Sequence, residues 1–364
     1  MIYLDNAATT RVSSAAAEAA LRMMQNDFGN ASSLHHLGIA AEEALDTARK
    51  QVAQRIGAEP QEVFFTSGGS EGNNLAILGA ARAKRRKGTH IITTAIEHAS
   101  VLEPLRRLEE DGFSVTRLMP DANGIVTAEQ VLSAMREDTI LVSVMMVNNE
   151  IGSVLPVEQI AKAVHRKNPQ VLVHTDSVQA FCKLPIGVKK LDVDLLTISG
   201  HKVHAPKGVG ALFVKKGVRI APLILGGGQE KGMRSGTEAT PGICALGVAS
   251  LQMEDTAERK AYLAAQLKEI PNVRILAETA APHILSVAVE GYPSEVVMRM
   301  LEEEEIYVSS GSACSRGHRS HVLEAIGVSS KLIDSAIRIS LSDEITKEEI
   351  DRVCTVFRAR FGTR

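Results

Sequence analysis

From about residue 60 onward, short apolar runs rich in β-branched residues alternate with longer stretches whose apolar positions recur at helical spacing. Val63–Phe65, His90–Thr93, Val115–Leu118, Ile140–Met145, Val171–His174 and Leu195–Ile198 read as strands. Ile39, Leu45, Ala48, Val52 and Ile56 recur with the period of a helix that buries one face, as do Ile160, Ala163 and Val164. Strand and helix in alternation predict an α/β fold with a largely parallel sheet covered on both faces. A glycine-rich break, "GGGQEKGMRSGTEATPG" from Gly226 to Gly242, ends this pattern. Beyond it a helical stretch is expected through Leu251 and Leu267 toward Pro271, followed by mixed strand and helix. A chain of 364 residues exceeds what one core usually serves. A large domain over residues 15–250 is therefore expected, with a small one made of 1–14 plus 251–364.

Composition narrows the function classes. Hydrophobic residues make up 45% and charged residues 23%, as in ordinary globular domains. A formal charge of −2 gives no global field that would draw nucleic acid or an anionic membrane, so neither is expected as a direct partner. The basic run Lys84–Lys87 closes a helical pattern, where cations suit the helix C-terminus. No apolar run approaches the roughly 18 residues that span a bilayer, and "MIYLDNAATTRVSS" lacks the layout of a secretory signal. The four cysteines are scattered and form no C-x-x-C, which fits a reducing cytoplasm.

The chemistry gathers where strands end. In "TISGHKVHAPKGVGALFV" two apolar runs bracket a polar turn, so Lys202 sits just off a strand, either as a solvated turn residue or as part of a site. "EVFFTSGGSEGNN" runs a strand through Ser-Gly-Gly-Ser into a helix, an arrangement that suits an anion such as phosphate. It is neither a Walker loop nor a G-x-G-x-x-G turn. In "VLVHTDSVQAF" Asp176 falls just beyond a strand, able to cap a helix or to meet a ligand. "TAIEHAS" and "VNNEIG" put His98 and the amides Asn148 and Asn149 at two further strand ends. Together these place an anion cradle, a histidine, an amide, an acid and a lysine on one rim of one sheet.

Cys182, Cys244 and Cys354 lie among apolar neighbours and read as small core residues. Cys314, in "SSGSACSRGHRSHVLEAIG", lies among Ser and Gly with Arg316, His318 and Arg319 following, an electropositive setting that favours a thiolate.

The stretches "DNAATT", "SGGSEGNN", "EHAS", "VNNEIG", "HTDSVQ", "SGHK", "GGGQEKGMRSGT", "SSGSACS" and "IRISL" together resemble the NifS/IscS-like cysteine desulfurases, a pyridoxal phosphate (PLP) family of the class V aminotransferase group. The resemblance runs from residue 3 to about residue 342. It implies the PLP-dependent transferase fold type I, with a seven-stranded mainly parallel sheet and a smaller α/β domain, and a homodimer whose sites are completed across subunits. It further implies that Lys202 forms the Schiff base with PLP and moves the substrate Cα proton, while Asp176 pairs with the pyridine nitrogen. His98 would stack on the ring and shuttle protons, and Gln179 would reach the phenolic oxygen. Gly69, Ser70, Ser199 and His201 match phosphate-binding positions, and Thr237 matches the one lent by the other subunit. Asn149 and Arg338 match the pair that holds the substrate carboxylate, and Cys314 the nucleophile that takes sulfur from L-cysteine as a persulfide and hands it to an acceptor protein.

Departures from the family pattern are Ser177 where alanine is expected against the ring face, Ser70 where threonine is frequent, and a short Cys314 loop that leaves the acceptor open. The nearest rivals are a selenocysteine lyase, a sulfinate desulfinase or a true aminotransferase. From another class, the C-x3-H-x2-H spacing of Cys314, His318 and His321 would suit a metal-binding module, which leaves Lys202 and Asp176 unexplained.

Overall fold

In this computed structural model, residues 1–311 and 319–362 are described. Their strands are β1 Ile2–Tyr3, β2 Val63–Thr66, β3 His90–Thr94, β4 Ser114–Leu118, β5 Thr139–Ser143, β6 Leu172–Asp176 and β7 Leu195–Ser199. They continue with β8 Gly210–Val214, β9 Val273–Ile275, β10 Ile284–Val289, β11 Ile306–Tyr307, β12 Ser309–Ser310 and β13 Ala336–Ser340. The larger sheet has seven strands in the order β2-β8-β7-β6-β5-β3-β4, with only β8 antiparallel to its neighbours. Helices such as Gly69–Lys84, Ala99–Glu110 and Val157–Lys167 follow successive strands and cover the sheet.

Parallel pairing brings the carboxyl ends of β3, β5, β6 and β7 to one rim. Because β8 runs the other way, its first residue lies beside two strand ends at once: Gly210 pairs with Thr66 of β2 and Ser199 of β7. A Cβ there would lie 2.6 Å from Ile198 O and 2.8 Å from Gly68 Cα, so glycine permits this approach. The anion-type turn after β2 and the Gly-His-Lys turn after β7 become neighbours through it.

A second sheet runs β12-β13-β10-β9, antiparallel throughout, and β1 pairs with β11. Ile2 and Leu4 pack into its apolar cluster with Leu263, Leu301, Ile339 and Phe357. The chain start is tied down further by Asn6 Nδ2, which donates to Ser340 O at 3.0 Å.

Strand positions agree with the sequence pattern, with informative differences. β5 ends at Ser143, two residues before the expected end, because Met145 N turns to the Glu97 carboxylate at 2.9 Å. Asp176 is the last residue of β6 and not the first beyond it. In the helix His36–Ile56, Leu45, Ala48, Val52 and Ile56 are buried, but Ile39 is 47% exposed. The helix expected through Leu251 is two helices, Thr240–Ala249 and Ala257–Lys268. Between them the chain dips to bury Glu254 against Lys183, while Leu251 faces outward. Among the described residues, no helix is long and apolar enough to cross a membrane.

Candidate active site

Lys202 closes a single 3-10 turn, Gly200–Lys202, directly after β7. Its Nζ donates to Ala7 O at 2.7 Å and Ala8 O at 2.6 Å, so the chain start forms one wall of the site. Asp176, His98, Asn149 and Gln179 line the same cavity of about 340 Å³, as do Gly69, Ser70, Ser199, His201 and Arg338. Nine expected residues thus meet Lys202 in one place.

The Asp176 carboxylate is buried and held by two donors: Asn73 Nδ2 at 2.7 Å and Val178 N at 2.9 Å. Asn73 also donates to Ser100 Oγ at 2.8 Å, tying the acid to the helix that His98 caps. His98 Nδ1 accepts from Ser100 N at 3.1 Å, which leaves the ring proton of the neutral form on Nε2. Burial holds His98 below its usual range, opposed by Asp176 and reinforced by Lys202 and His321. The adjacent Glu97 is fully buried, and burial pushes it up to about 8, with Asp176 adding to the rise.

The helix Gly69–Lys84 opens on the cavity behind Gly68, whose φ of +148° suits glycine. Its first-turn N–H groups lack intrahelical acceptors and suit an anion. A Cβ on Gly69 would stand 2.8 Å from Val178 Cγ2 and fill the cradle. Burial lowers His201 to about 4, with Lys202 and Lys207 adding to the drop, so at neutral pH it offers a neutral ring.

Arg338 projects from the middle of β13 and is 2% exposed. Its guanidinium donates to Asn149 O at 2.9 Å and to Asp5 Oδ1 at 2.9 Å, while Nε has no hydrogen-bond partner among the described residues. Gln179 Nε2 donates to Ala7 O at 2.9 Å, and its Oε1 lies 3.3 Å from His283 Nε2.

Not every expected residue is in that set. Ser177 is buried with its hydroxyl on Met146 Sδ at 3.7 Å and does not line the cavity; Val178 does. The expectation for Ser177 is thereby corrected, because side chains on successive residues leave the strand end in different directions. Thr237 is exposed and absent from the cavity wall. Cys314 and His318 lie outside the described residues, and His321 Nε2 pairs with Glu97 O at 3.1 Å. The sequence pattern did not single out Asn73, Ser100, Glu97 or the Ala7 and Ala8 carbonyls. Asn73 stood inside the quoted "SGGSEGNN", one helical turn beyond the cradle.

Cys182, Cys244 and Cys354 are buried, and burial raises their thiols to about 12, 11 and 11, which suits inert packing.

The donor set fits pyridoxal phosphate. A glycine cradle at a helix start suits its phosphate, a buried carboxylate suits its ring nitrogen, and an amine suits its aldehyde. Fold and site together define a PLP enzyme of fold type I. Residues 2–353 match the family model "Aminotransferase class-V". The chain is 42% identical to the "Cysteine desulfurase IscS" of Methanosarcina thermophila, over 98% of this chain and 90% of that protein. A solved structure described as "NIFS-LIKE PROTEIN" aligns with a TM-score of 0.91 and 37% identity, covering 97% of each chain. Another, "SspA in complex with cysteine", aligns with a TM-score of 0.86 and 37% identity over 95% of this chain and all of that one. The chain belongs to the cysteine desulfurase family of PLP-dependent class-V aminotransferases.

Proposed function

We propose that this enzyme removes sulfur from L-cysteine, releasing L-alanine and leaving a persulfide on Cys314. The observation that carries the reading is the meeting of the Lys202 amine, the Asp176 carboxylate and the Gly69 cradle in one cavity. Bound there, pyridoxal phosphate supplies an electron sink that acidifies the substrate Cα proton and weakens the bond from Cβ to sulfur. Lys202 would hold the cofactor through its aldehyde, and its amine would take up the substrate Cα proton. Asp176 keeps the ring nitrogen protonated, held for that task by Asn73 and the backbone of Val178. His98 presents a neutral Nε2–H to the cavity and passes protons. Arg338 and Asn149 orient the substrate carboxylate, and Arg338 Nε, which no described residue engages, is a ready donor. The Cys314 thiolate attacks the substrate sulfur. The S–S bond forms as the carbon–sulfur bond breaks, and the electron pair left with carbon is protonated to give alanine.

The persulfide passes to an acceptor protein for iron–sulfur cluster assembly or tRNA thiolation, in the cytoplasm. Two copies form the working unit, with Thr237 completing the partner's phosphate site. The exposed Leu34, Leu225 and Phe28 support this dimer, and so does Thr237 lying away from its own cavity. The division into residues 15–250 and 1–14 plus 251–364 belongs to the same reading, supported by the separate cluster that holds Ile2, Leu4 and Phe357.

Purified with its cofactor, the enzyme should be yellow, and Lys202→Ala should be colourless. With cysteine and a thiol reductant, alanine and sulfide should appear in equal amounts. Sulfide yield unchanged in Cys314→Ala would remove the persulfide step. Mixing the Lys202→Ala and Thr237→Ala proteins should give more activity than the two give separately if sites are shared between subunits.

A further inference from the structure

Behind the cavity lies a buried charge pair that none of the roles above uses. Lys183 follows the Asp176 strand by one short turn, and its side chain is fully buried. Its ammonium donates to Lys202 O at 2.6 Å and to Glu254 Oε1 at 2.8 Å. Glu254 lies in the break between the helices Thr240–Ala249 and Ala257–Lys268, and its backbone N donates to Cys182 O at 2.9 Å. His204 Nε2 stands 3.3 Å from Glu254 Oε1, with His204 at a left-handed φ of +63°.

The turn at Lys202 explains why a donor is needed. The 3-10 segment stops at Lys202 and the backbone reverses through His204, so no helix continues to satisfy the Lys202 carbonyl. A buried ammonium is a strong donor for that oxygen, but it persists only with a counter-charge. Burial alone would raise the Glu254 pKa. Lys183 and His204 outweigh it and hold the carboxyl below its ordinary range, so the counter-charge is present at neutral pH. Asp343 also approaches His204 and Glu254, but the Lys183 ammonium already supplies the positive charge a metal ion would bring.

We propose that Lys183 and Glu254 are positioning residues for Lys202: the pair clamps its carbonyl and so sets where its amine meets the cofactor. The proposal rests on Lys202 as the tether. It gives the helix break at residues 250–256 a task, since a continuous helix would not bring Glu254 under the turn.

The test separates positioning from stability. Lys183→Met strands the Glu254 charge and should lower the melting temperature. Lys183→Met combined with Glu254→Leu removes both charges and should regain most of that loss. In both proteins the visible absorbance that develops on adding PLP should rise more slowly, on the order of tenfold to a hundredfold. The pH at which that absorbance changes should shift as well. Lys183→Arg, which keeps a buried donor, should recover part of the rate. Glu254→Asp, which keeps both charges, serves if the double variant does not fold, and should fall between it and the native protein. Without cofactor, hydrogen exchange of the 200–205 backbone amides should quicken in the double variant. Native capture rate, native pH transition and native exchange in the double variant would overturn the proposal. A native protein that never colours would instead overturn the tether, while the exchange experiment would still decide whether the pair holds the turn.

Discussion

The two sheets supply polar groups to the cavity in opposite ways. In the seven-stranded sheet they sit at or just past strand ends: Asp176 closes β6 and Lys202 follows β7. In the four-stranded sheet the contribution is Arg338, the middle residue of β13, flanked by Ile337 and Ile339. Strand ends face a cleft by topology, so polar residues there meet a ligand even where, like Asp176, they are buried and held by donors. A mid-strand arginine has no such exit and needs partners, which Asp5 and Asn149 O provide. Removing a rim residue should therefore cost chemistry, whereas removing Arg338 should cost both chemistry and stability.

The largest effect tests that contrast. Arg338→Met should strand Asp5, lower stability by about 3 kcal/mol, and raise KM for cysteine by about tenfold or more. Thermal melts and steady-state kinetics on the same protein would break the comparison if stability were untouched. Gly69→Ala is next. Its new Cβ meets Val178 Cγ2, and such overpacking costs about 1–3 kcal/mol, to be read as weaker PLP binding. Adding Val178→Ala should restore much of it. Asn73→Ala removes a donor from Asp176 and should weaken PLP binding by about 1–2 kcal/mol with little change in KM.

Glu97→Gln should matter through pH. The folded pKa of Glu97, about 8, lies above its ordinary 4.5, so its proton stabilises the fold fully below 4.5. That stability is lost as pH rises through about 8, at about 1.4 kcal/mol for each tenfold difference in proton affinity between the folded and unfolded chain. Melting curves from pH 4.5 to 9 should therefore be flatter for Glu97→Gln than for the native protein. Smallest is Ser177→Ala, whose hydroxyl faces Met146; stability and activity should stay within about 0.5 kcal/mol of native.

Alternating patterns made the parallel sheet legible, and with it the rim, because strand ends can be located without knowing which strand neighbours which. Resemblance to known motifs supplied the roles of Lys202, Asp176 and His98. The support around them was not legible. Asn73 looks like any helix residue until the sheet order brings Asp176 beside it. Ser177 and Val178 differ by one place in sequence, and only the backbone direction after β6 decides which meets the cavity. Ile39 has the spacing of a core residue yet is exposed, because period reveals a face and not what covers it.

Local pattern was enough for the class of fold, the rim and the chemical groups on it, since periodicity and strand-end position are properties of neighbouring residues along the chain. It took the packed molecule to bring the Ala7 and Ala8 carbonyls to Lys202, to bury Arg338, and to set Glu254 against Lys183. Those contacts join residues 71 to 333 positions apart, and no local pattern encodes a partner that distant.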